Sequence, residues 1–359
     1  MNRIQASADA LGSRGIDGIL VSDLKNVRYL SGFRGSSCHL IISRSGRILF
    51  TDFRYHEQAK NEIKGFDVVI VKGEMHRAII ENAKSQGIRT LGFESTVSYE
   101  FYRKLLRRGL RIKAVSNFVE DMRKIKGKSE LELIKKAIYR AEKAFREVKP
   151  YIKKGISEKK LAAMIEENLK KRGCSALPFD IIVATGQNSS MPHARPTDNK
   201  IKAGDLVVID WGGEAGGYFS DMTRTFLING GNVQKKREIY ETVLKANRAA
   251  IDSVREGKHS RMVDKAARDV IKKAGYGDFF GHGTGHGIGL DVHELPRISR
   301  IGGESVKKGM VFTIEPGIYV PGLGGVRIED MVLAGETGCD VLTSLPRTPE
   351  IIHQAGNEK

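Results

Sequence analysis

Apolar and polar positions change their period several times along the chain. Over the first 120 residues, five short apolar runs read as strands: DGILVS (17–22), CHLIIS (38–43), RILFTD (47–52), FDVVIV (66–71) and RTLGFE (89–94). Amphipathic stretches such as FRYHEQAKNEI lie between several of them, which predicts an α/β domain. SRSGR at 43–47 supplies a tight turn between two adjacent strands, so an antiparallel hairpin within a mixed sheet is expected.

Between 121 and 130 the chain becomes polar and charged, DMRKIKGKSE, and this predicts a division into domains 1–122 and 123–359. Ser129 followed by Glu132 has the pattern of a capping box ahead of LELIKKAIYRAEKAF, where apolar residues recur at helical spacing. A second helix, SEKKLAAMIEENLKKRG, ends on basic residues and Gly173, as the helix dipole and a left-handed C-cap favour. KKREIYETVLKANRAAIDSVREG and SRMVDKAARDVIKKAG form a second helix pair. Each pair leads into a similar passage, IKAGDLVVIDWGG (201–213) and VKKGMVFTIEPGI (306–318). In both, an acid stands six positions after a turn glycine, and a second strand then brings another acid, Asp221 in YFSDMTRTF and Glu329 in GVRIEDMVL. The carboxyl half therefore reads as a twofold repeat of helix, helix and hairpin in one α+β domain, since a solenoid needs at least three units.

Composition narrows the setting. A chain of 359 residues with 40% hydrophobic and 29% charged positions is neither disordered nor fibrous. The net charge of +17 suits anionic partners or a lysine-rich solvated surface. The basic run RKLLRRGLRIK (103–113) reads as one wet helix face, and no aromatic-rich motif accompanies it, so nucleic acid is not an expected partner. Cys38, Cys174 and Cys339 are widely spaced and lack CxxC spacing, which indicates neither a disulfide framework nor a thiolate zinc site and suits a reducing compartment. No segment approaches the roughly 18 consecutive apolar residues of a membrane span, and the amino terminus lacks a leader pattern, so a soluble, cytoplasmic protein is expected.

The acids of the repeat carry the chemistry. Asp210 and Glu315 end apolar strands, VVID and VFTIE, where an ionised carboxylate costs several kcal/mol unless it is paired or coordinated. Each hairpin can set Asp221 or Glu329 on the same sheet face as its predecessor. Four converging carboxylates would repel one another unless cations neutralise them, and two divalent ions balance four such charges. The glycine-rich segment FGHGTGHGIGLDVHE (280–294) adds His282, His286 and His293 as further candidate ligands. A carboxylate-dominated set with one imidazole fits Mn or Co better than a structural zinc cage, and zinc remains compatible by ligand type. These residues predict a binuclear hydrolytic centre.

With MPHARP, VVIDWGG, YFSDMTRT, GHGTGHGIGLDVHE, FTIEPGIY and GVRIED in this order, the chain resembles the pita-bread metallopeptidases. NVRYLSGF (26–33) and LFTDFRYHEQA (49–59) extend the resemblance to the amino-terminal domain of the creatinase/prolidase type, within the Xaa-Pro dipeptidase (prolidase) and aminopeptidase P branch. By motif, the resemblance implies Asp210, Asp221, His286, Glu315 and Glu329 as ligands of two divalent metal ions. Asp221 with Glu315 or Glu329 would tie the ions together, a bridging hydroxide would attack the scissile carbonyl, and Glu315 would also shuttle the proton. It further implies His193 and His293 as groups that position substrate and stabilise the tetrahedral intermediate, and His282 as part of the proline pocket. Arg327 would support the site, and Arg297 would receive the substrate's free carboxylate. The implied activity is hydrolysis of Xaa-Pro bonds in dipeptides by a homodimer whose amino-terminal domain shapes the partner's active-site entrance.

An isolated Asp beside glycine is more often a turn residue, but the recurrence of Asp210 and Asp221 as Glu315 and Glu329 opposes that for this chain. His39, His56, His76, His259 and His353 have no companions and read as structural or exposed, and Trp211 as packing beside the site. Aminopeptidase P action on longer Xaa-Pro peptides is the alternative activity. A metal-free amidinohydrolase such as creatinase, or a non-catalytic pita-bread binding protein, would lack these five ligands.

Overall fold

The computed structural model describes residues 3–106 and 109–352; His353 lies outside the described residues. The chain divides into two compact units, Met1–Arg123 and Lys124–Lys359. The first contains strands β1 (Gly18–Val21), β2 (Cys38–Ser43), β3 (Arg47–Thr51), β4 (Asp67–Ile70), β5 (Thr90–Glu94) and β6 (Arg111–Val115). Helices α1 (Arg3–Ala10), α2 (Leu24–Ser31), α3 (His56–Glu62), α4 (Met75–Ser85), α5 (Tyr99–Leu106) and α6 (Glu120–Arg123) connect or flank them. The sheet order is β4-β3-β2-β1-β5-β6, mixed as expected, because β1–β2 and β2–β3 are antiparallel while the remaining pairs are parallel. The 43–47 turn closes through the Ser43 amide on Gly46 O at 2.9 Å. Both faces of the central strands are covered, which is why they read as unbroken apolar runs, and Leu20, Ile41, Phe50, Ile79, Leu91 and Leu105 lie in the core beneath them.

The run 103–113 is not one helix face: α5 ends at Leu106, Gly109 takes a left-handed φ of 67°, and Arg111 begins β6, paired in parallel with β5. The basic residues around Leu105 imitate helical periodicity, but the glycine ends it.

The second unit opens with α7 (Lys128–Val148), α8 (Glu158–Lys171), β7 (Ile182–Thr185), β8 (Leu206–Trp211), β9 (Glu214–Ala215), β10 (Tyr218–Phe219) and β11 (Met222–Ile228). Then come α9 (Gln234–Ser253), α10 (Ser260–Lys273), β12 (Gly285–Gly287), β13 (Glu294–Ile298), β14 (Val311–Ile314), β15 (Gly317–Val320), β16 (Gly324–Arg327), β17 (Asp330–Ala334), β18 (Cys339–Val341) and β19 (Glu350–Ile352). The two repeats become two sheets, β19-β11-β8-β7 and β13-β12-β14-β17-β18. Antiparallel β8–β11 in the first corresponds to β14–β17 in the second, and the glycines six residues before Asp210 and Glu315 both have positive φ, 78° at Gly204 and 87° at Gly309. The helix pair α9–α10 covers a core that includes Leu206, Val243, Val263, Phe312, Ile314 and Val332. Trp211 is fully buried, stacks on Phe145 at 4.1 Å and donates to Ala141 O. The α7 cap differs from the predicted one: Glu130, not Glu132, reaches back, accepting from the Gly127 amide at 2.9 Å, and the helix starts ahead of Ser129. No helix among the described residues is long and apolar enough to cross a membrane.

Candidate metal centre

The repeat presents its four acids from equivalent places. Asp210 lies near the end of β8 and Glu315 just past β14, while Asp221 and Glu329 immediately precede β11 and β17. The β8–β11 register sets Asp210 opposite Thr223, whose hydroxyl donates to Glu329 Oε2 at 2.8 Å. The Glu329 amide returns a bond to Thr223 O at 3.1 Å, so the two halves are stitched together at the site. His286 enters on β12 between two glycines. A Cβ at Gly285 would lie 1.9 Å from Thr313 O and one at Gly287 2.0 Å from Leu295 O, so this tight approach to the neighbouring strands requires glycine on both sides.

Asp221, His286 and Glu329 each offer a ligand atom, all within 4.8 Å of one another. His286 Nε2 is 3.6 Å from Asp221 Oδ2 and 3.5 Å from Glu315 Oε1. Asp210 Oδ2 accepts from Arg327 Nη2 at 2.7 Å. Asp210 Oδ1, Asp221 Oδ1 and Glu329 Oε1 are buried without a hydrogen-bond partner among the described residues. Burial, followed by the charges of Glu329, Asp210 and Glu315, holds the Asp221 carboxyl well above the usual carboxylate range. Burial also raises Glu329, with Glu315 and Asp210 adding to it, and burial raises Glu315. Burial lowers the pKa of His286, leaving a neutral ring with a lone pair to offer. Acids that cannot all ionise unaided, three of them with an orphaned buried oxygen, fit divalent cations: the positive charge they lack is what such ions supply.

Arg327 is 3% exposed and makes four bonds: Nη2 to Asp210, Nε to Thr223 Oγ1 at 3.0 Å, Nη1 to Tyr319 OH at 2.9 Å and Nη1 to Pro192 O at 3.1 Å. His282 bonds Tyr319 OH through Nε2 at 2.9 Å and contacts Gly283 O through Nδ1 at 2.7 Å. The His293 ring lies 4.3 Å from the His286 ring. Burial lowers the pKa of both His282 and His293. All five candidate ligands, with His193, His282, His293 and Arg327, line one cavity of about 410 Å³. Arg297 does not line it: this residue is exposed on β13, opposite His286 in the strand register. Thr223 and Tyr319 also belong to this network, although no motif in the sequence marks them for it. Thr223 stands two residues after Asp221, the same alternation that singled out Arg327 before Glu329. Tyr319 shares a face of β15 with Gly317 and pairs with Gly325, a contact that only the β15–β16 register reveals.

A duplicated hairpin that gathers four acids and an imidazole around one cavity, in a chain that also has a separate mixed-sheet unit, is the architecture of the two-domain pita-bread hydrolases, which work with divalent metal ions. The chain belongs to metallopeptidase family M24, whose model matches residues 132–336, and residues 3–125 match the creatinase/prolidase N-terminal domain. It is 38% identical to an Xaa-Pro dipeptidase of Pyrococcus furiosus over 96% of this chain and 98% of that one. Among solved structures, an Xaa-Pro dipeptidase from Bacillus anthracis superposes with a TM-score of 0.95 at 37% identity, covering 98% of this chain and 99% of the other. An X-Pro aminopeptidase from Thermotoga maritima does so with a TM-score of 0.88 at 36% identity, over 98% and 100%.

Proposed function

We propose that the protein hydrolyses Xaa-Pro bonds, with dipeptides as its main substrates. The observation that carries this is the group of buried, partnerless carboxylate oxygens around His286 in a chain similar over its whole length to Xaa-Pro dipeptidases. Asp210, Asp221, His286, Glu315 and Glu329 would hold two divalent ions, Mn or Co in preference to Zn. Bound there, the ions would make water nucleophilic near neutral pH and polarise the scissile carbonyl. Glu315 takes the proton of the attacking water and delivers it to the departing proline nitrogen. His193 and His293, in the cavity wall, orient the carbonyl and donate to its oxygen as negative charge develops; one such donor is commonly worth about 2.7–4 kcal/mol. Arg327 fixes Asp210, and through Tyr319 also orients His282 beside the proline ring. A cytoplasmic homodimer completes the proposal, and sedimentation of the purified protein tests the assembly.

The test is proline release from Xaa-Pro and cleavage of the matching Xaa-Pro-Yaa after chelation and re-addition of Mn, Co or Zn. Turnover of the dipeptide, restored by metal, is the expected result. Turnover of the tripeptide instead supports the aminopeptidase reading, which the exposed position of Arg297 and the similarity to the Thermotoga maritima aminopeptidase favour. Metal bound without turnover of either overturns both.

A further inference from the structure

Outside the candidate ligands, one buried side chain holds the backbone on which both acids of the second repeat stand. Asn247, on α9, is fully buried, and its Nδ2 lies 3.1 Å from Ile314 O, 3.2 Å from Ile328 O and 3.3 Å from Asp330 Oδ2. Ile314 and Ile328 immediately precede Glu315 and Glu329. Arg347 Nη1 donates to Asn247 Oδ1 at 3.4 Å, which sets the orientation of the amide.

The sheet shows why an amide is needed there. β14 and β17 pair from Val311↔Leu333 to Ile314↔Asp330, where their ladder stops, and pairing resumes between β15 and β16 at Gly317↔Arg327. Glu315 and Glu329 stand in the break between the two ladders, and their amides turn to different neighbours, Thr284 O at 2.7 Å and Thr223 O at 3.1 Å. The backbones meet across the break in a long bond, 3.4 Å from Ile328 N to Pro316 O. In the first repeat, by contrast, Asp210 remains within the β8–β11 ladder, opposite Thr223, so the sheet itself holds it. Asp330 extends the bracing to that repeat: its Oδ1 accepts from Arg224 Nη2 at 2.8 Å, and Arg224 Nη1 donates to Thr223 O at 2.9 Å and Glu329 O at 2.6 Å. We infer that Asn247 is a positioning residue of the metal centre, whose amide fixes the separation of Glu315 and Glu329 where the broken ladder leaves it unset. The inference rests on the metal-centre reading above. A brace behind two ligands acts on affinity and coordination geometry, because both acids must close on an ion together.

The experiment titrates Co into the full chain of wild type, Asn247→Leu and Val243→Ala, followed by calorimetry and by the visible d–d absorption of the bound ion. Leucine keeps the branched shape of asparagine and removes its donors. Asn247→Leu should weaken Co binding about 10–100-fold and change the position or intensity of the absorption bands at saturation. Val243, one turn earlier on α9 and equally buried, packs in the core, so Val243→Ala should lose stability yet keep the wild-type affinity and spectrum. If Asn247→Leu does not fold, Asn247→Ser takes its place with the same expectation, since a short hydroxyl donates one bond and cannot hold both carbonyls. Wild-type affinity and spectrum in the Asn247 variant, or the same change in Val243→Ala, would overturn the inference and leave the metal reading standing. Wild type that binds no Co would overturn the metal reading, and this inference with it.

Discussion

At Glu329 the conflict between folding and function is sharpest. One carboxyl oxygen is bonded to Thr223, the other is buried without a partner among the described residues, and burial together with the neighbouring acids pushes its proton affinity up. Glu329→Gln keeps an acceptor for Thr223 and gives the adjacent acids a donor in place of a like charge. In metal-free protein this variant should be more stable than wild type by about 1–3 kcal/mol. Added Mn or Co should no longer raise its Tm, and thermal unfolding with and without the ion checks both; a lower metal-free Tm, or an undiminished response to metal, sinks the assignment. In the first unit, two groups meet at Ser22 with opposed titrations. His39 contacts Ser22 Oγ at 2.9 Å and stacks on Phe101, and burial lowers its pKa to about 4. Glu94 accepts from the Ser22 and Asp23 amides, each at 2.7 Å, yet burial outweighs these donors and, with Glu120 nearby, raises its pKa to about 7. The His39 contribution to stability is complete above pH 6.5 and is lost as pH falls toward 4; the Glu94 contribution is complete below pH 4.5 and is lost as pH rises toward 7. Each spans on the order of 3 kcal/mol, so wild type should show little net slope between pH 4.5 and 6.5. His39→Gln should then grow relatively more stable toward acid and Glu94→Gln relatively less, which urea titrations across that range would show; parallel slopes in both variants would refute this.

Among the elements, α10 has a role beyond covering the core. Its Asp264 accepts from Thr284 Oγ1 at 2.8 Å, and its Arg268, paired with Asp264, donates to Phe280 O at 2.9 Å and His282 O at 2.8 Å. Thr284 O in turn accepts from the Glu315 amide at 2.7 Å, so one helix turn sets the loop that presents His282, His286 and the approach to Glu315. Arg268→Met should cost about 3–5 kcal/mol, because it leaves Asp264 buried without its cation. In protein still folded at low temperature, kcat should fall more than KM rises, and Arg268→Lys should restore part of kcat; wild-type kinetics in Arg268→Met would show that the loop holds itself. None of this network was legible in the sequence, where SRMVDKAARDVIKKAG shows only an amphipathic period. Legible features were those encoded within a few residues: the central strands as apolar runs, the glycines six positions before Asp210 and Glu315, the acids themselves and the glycines flanking His286. What escaped depends on partners distant in sequence. β19 pairs with β11 across more than a hundred residues, Glu158 binds a loop it precedes by a full helix, and β6 was masked by basic residues whose spacing imitates a helix. The cap of α7 is ambiguous in the sequence because two glutamates stand two residues apart, and only the backbone shows that Glu130 is the one that reaches Gly127.

On the scale of the whole molecule, each unit has its own core, one around Leu20, Ile41 and Phe50 and the other around Val243, Phe312 and Val332, and all candidate metal ligands belong to the second. A ligand stabilises only the cooperative unit that binds it, by an amount set by its concentration relative to Kd. At a thousandfold excess over Kd an ion contributes about 4 kcal/mol, which for a unit of this size corresponds to a rise of roughly 8–16 °C in Tm. Calorimetry of the full chain should therefore resolve two transitions, of which only one moves with Mn or Co and collapses back on chelation. The other should be the one that His39→Gln and Glu94→Gln displace with pH, so metal and protons would address different halves of one chain. Glu329→Gln should abolish the metal-dependent shift without touching the second transition. A single transition that moves as a whole with both metal and pH would mean that the two cores unfold together, with metal binding and the His39 and Glu94 titrations acting on one cooperative unit.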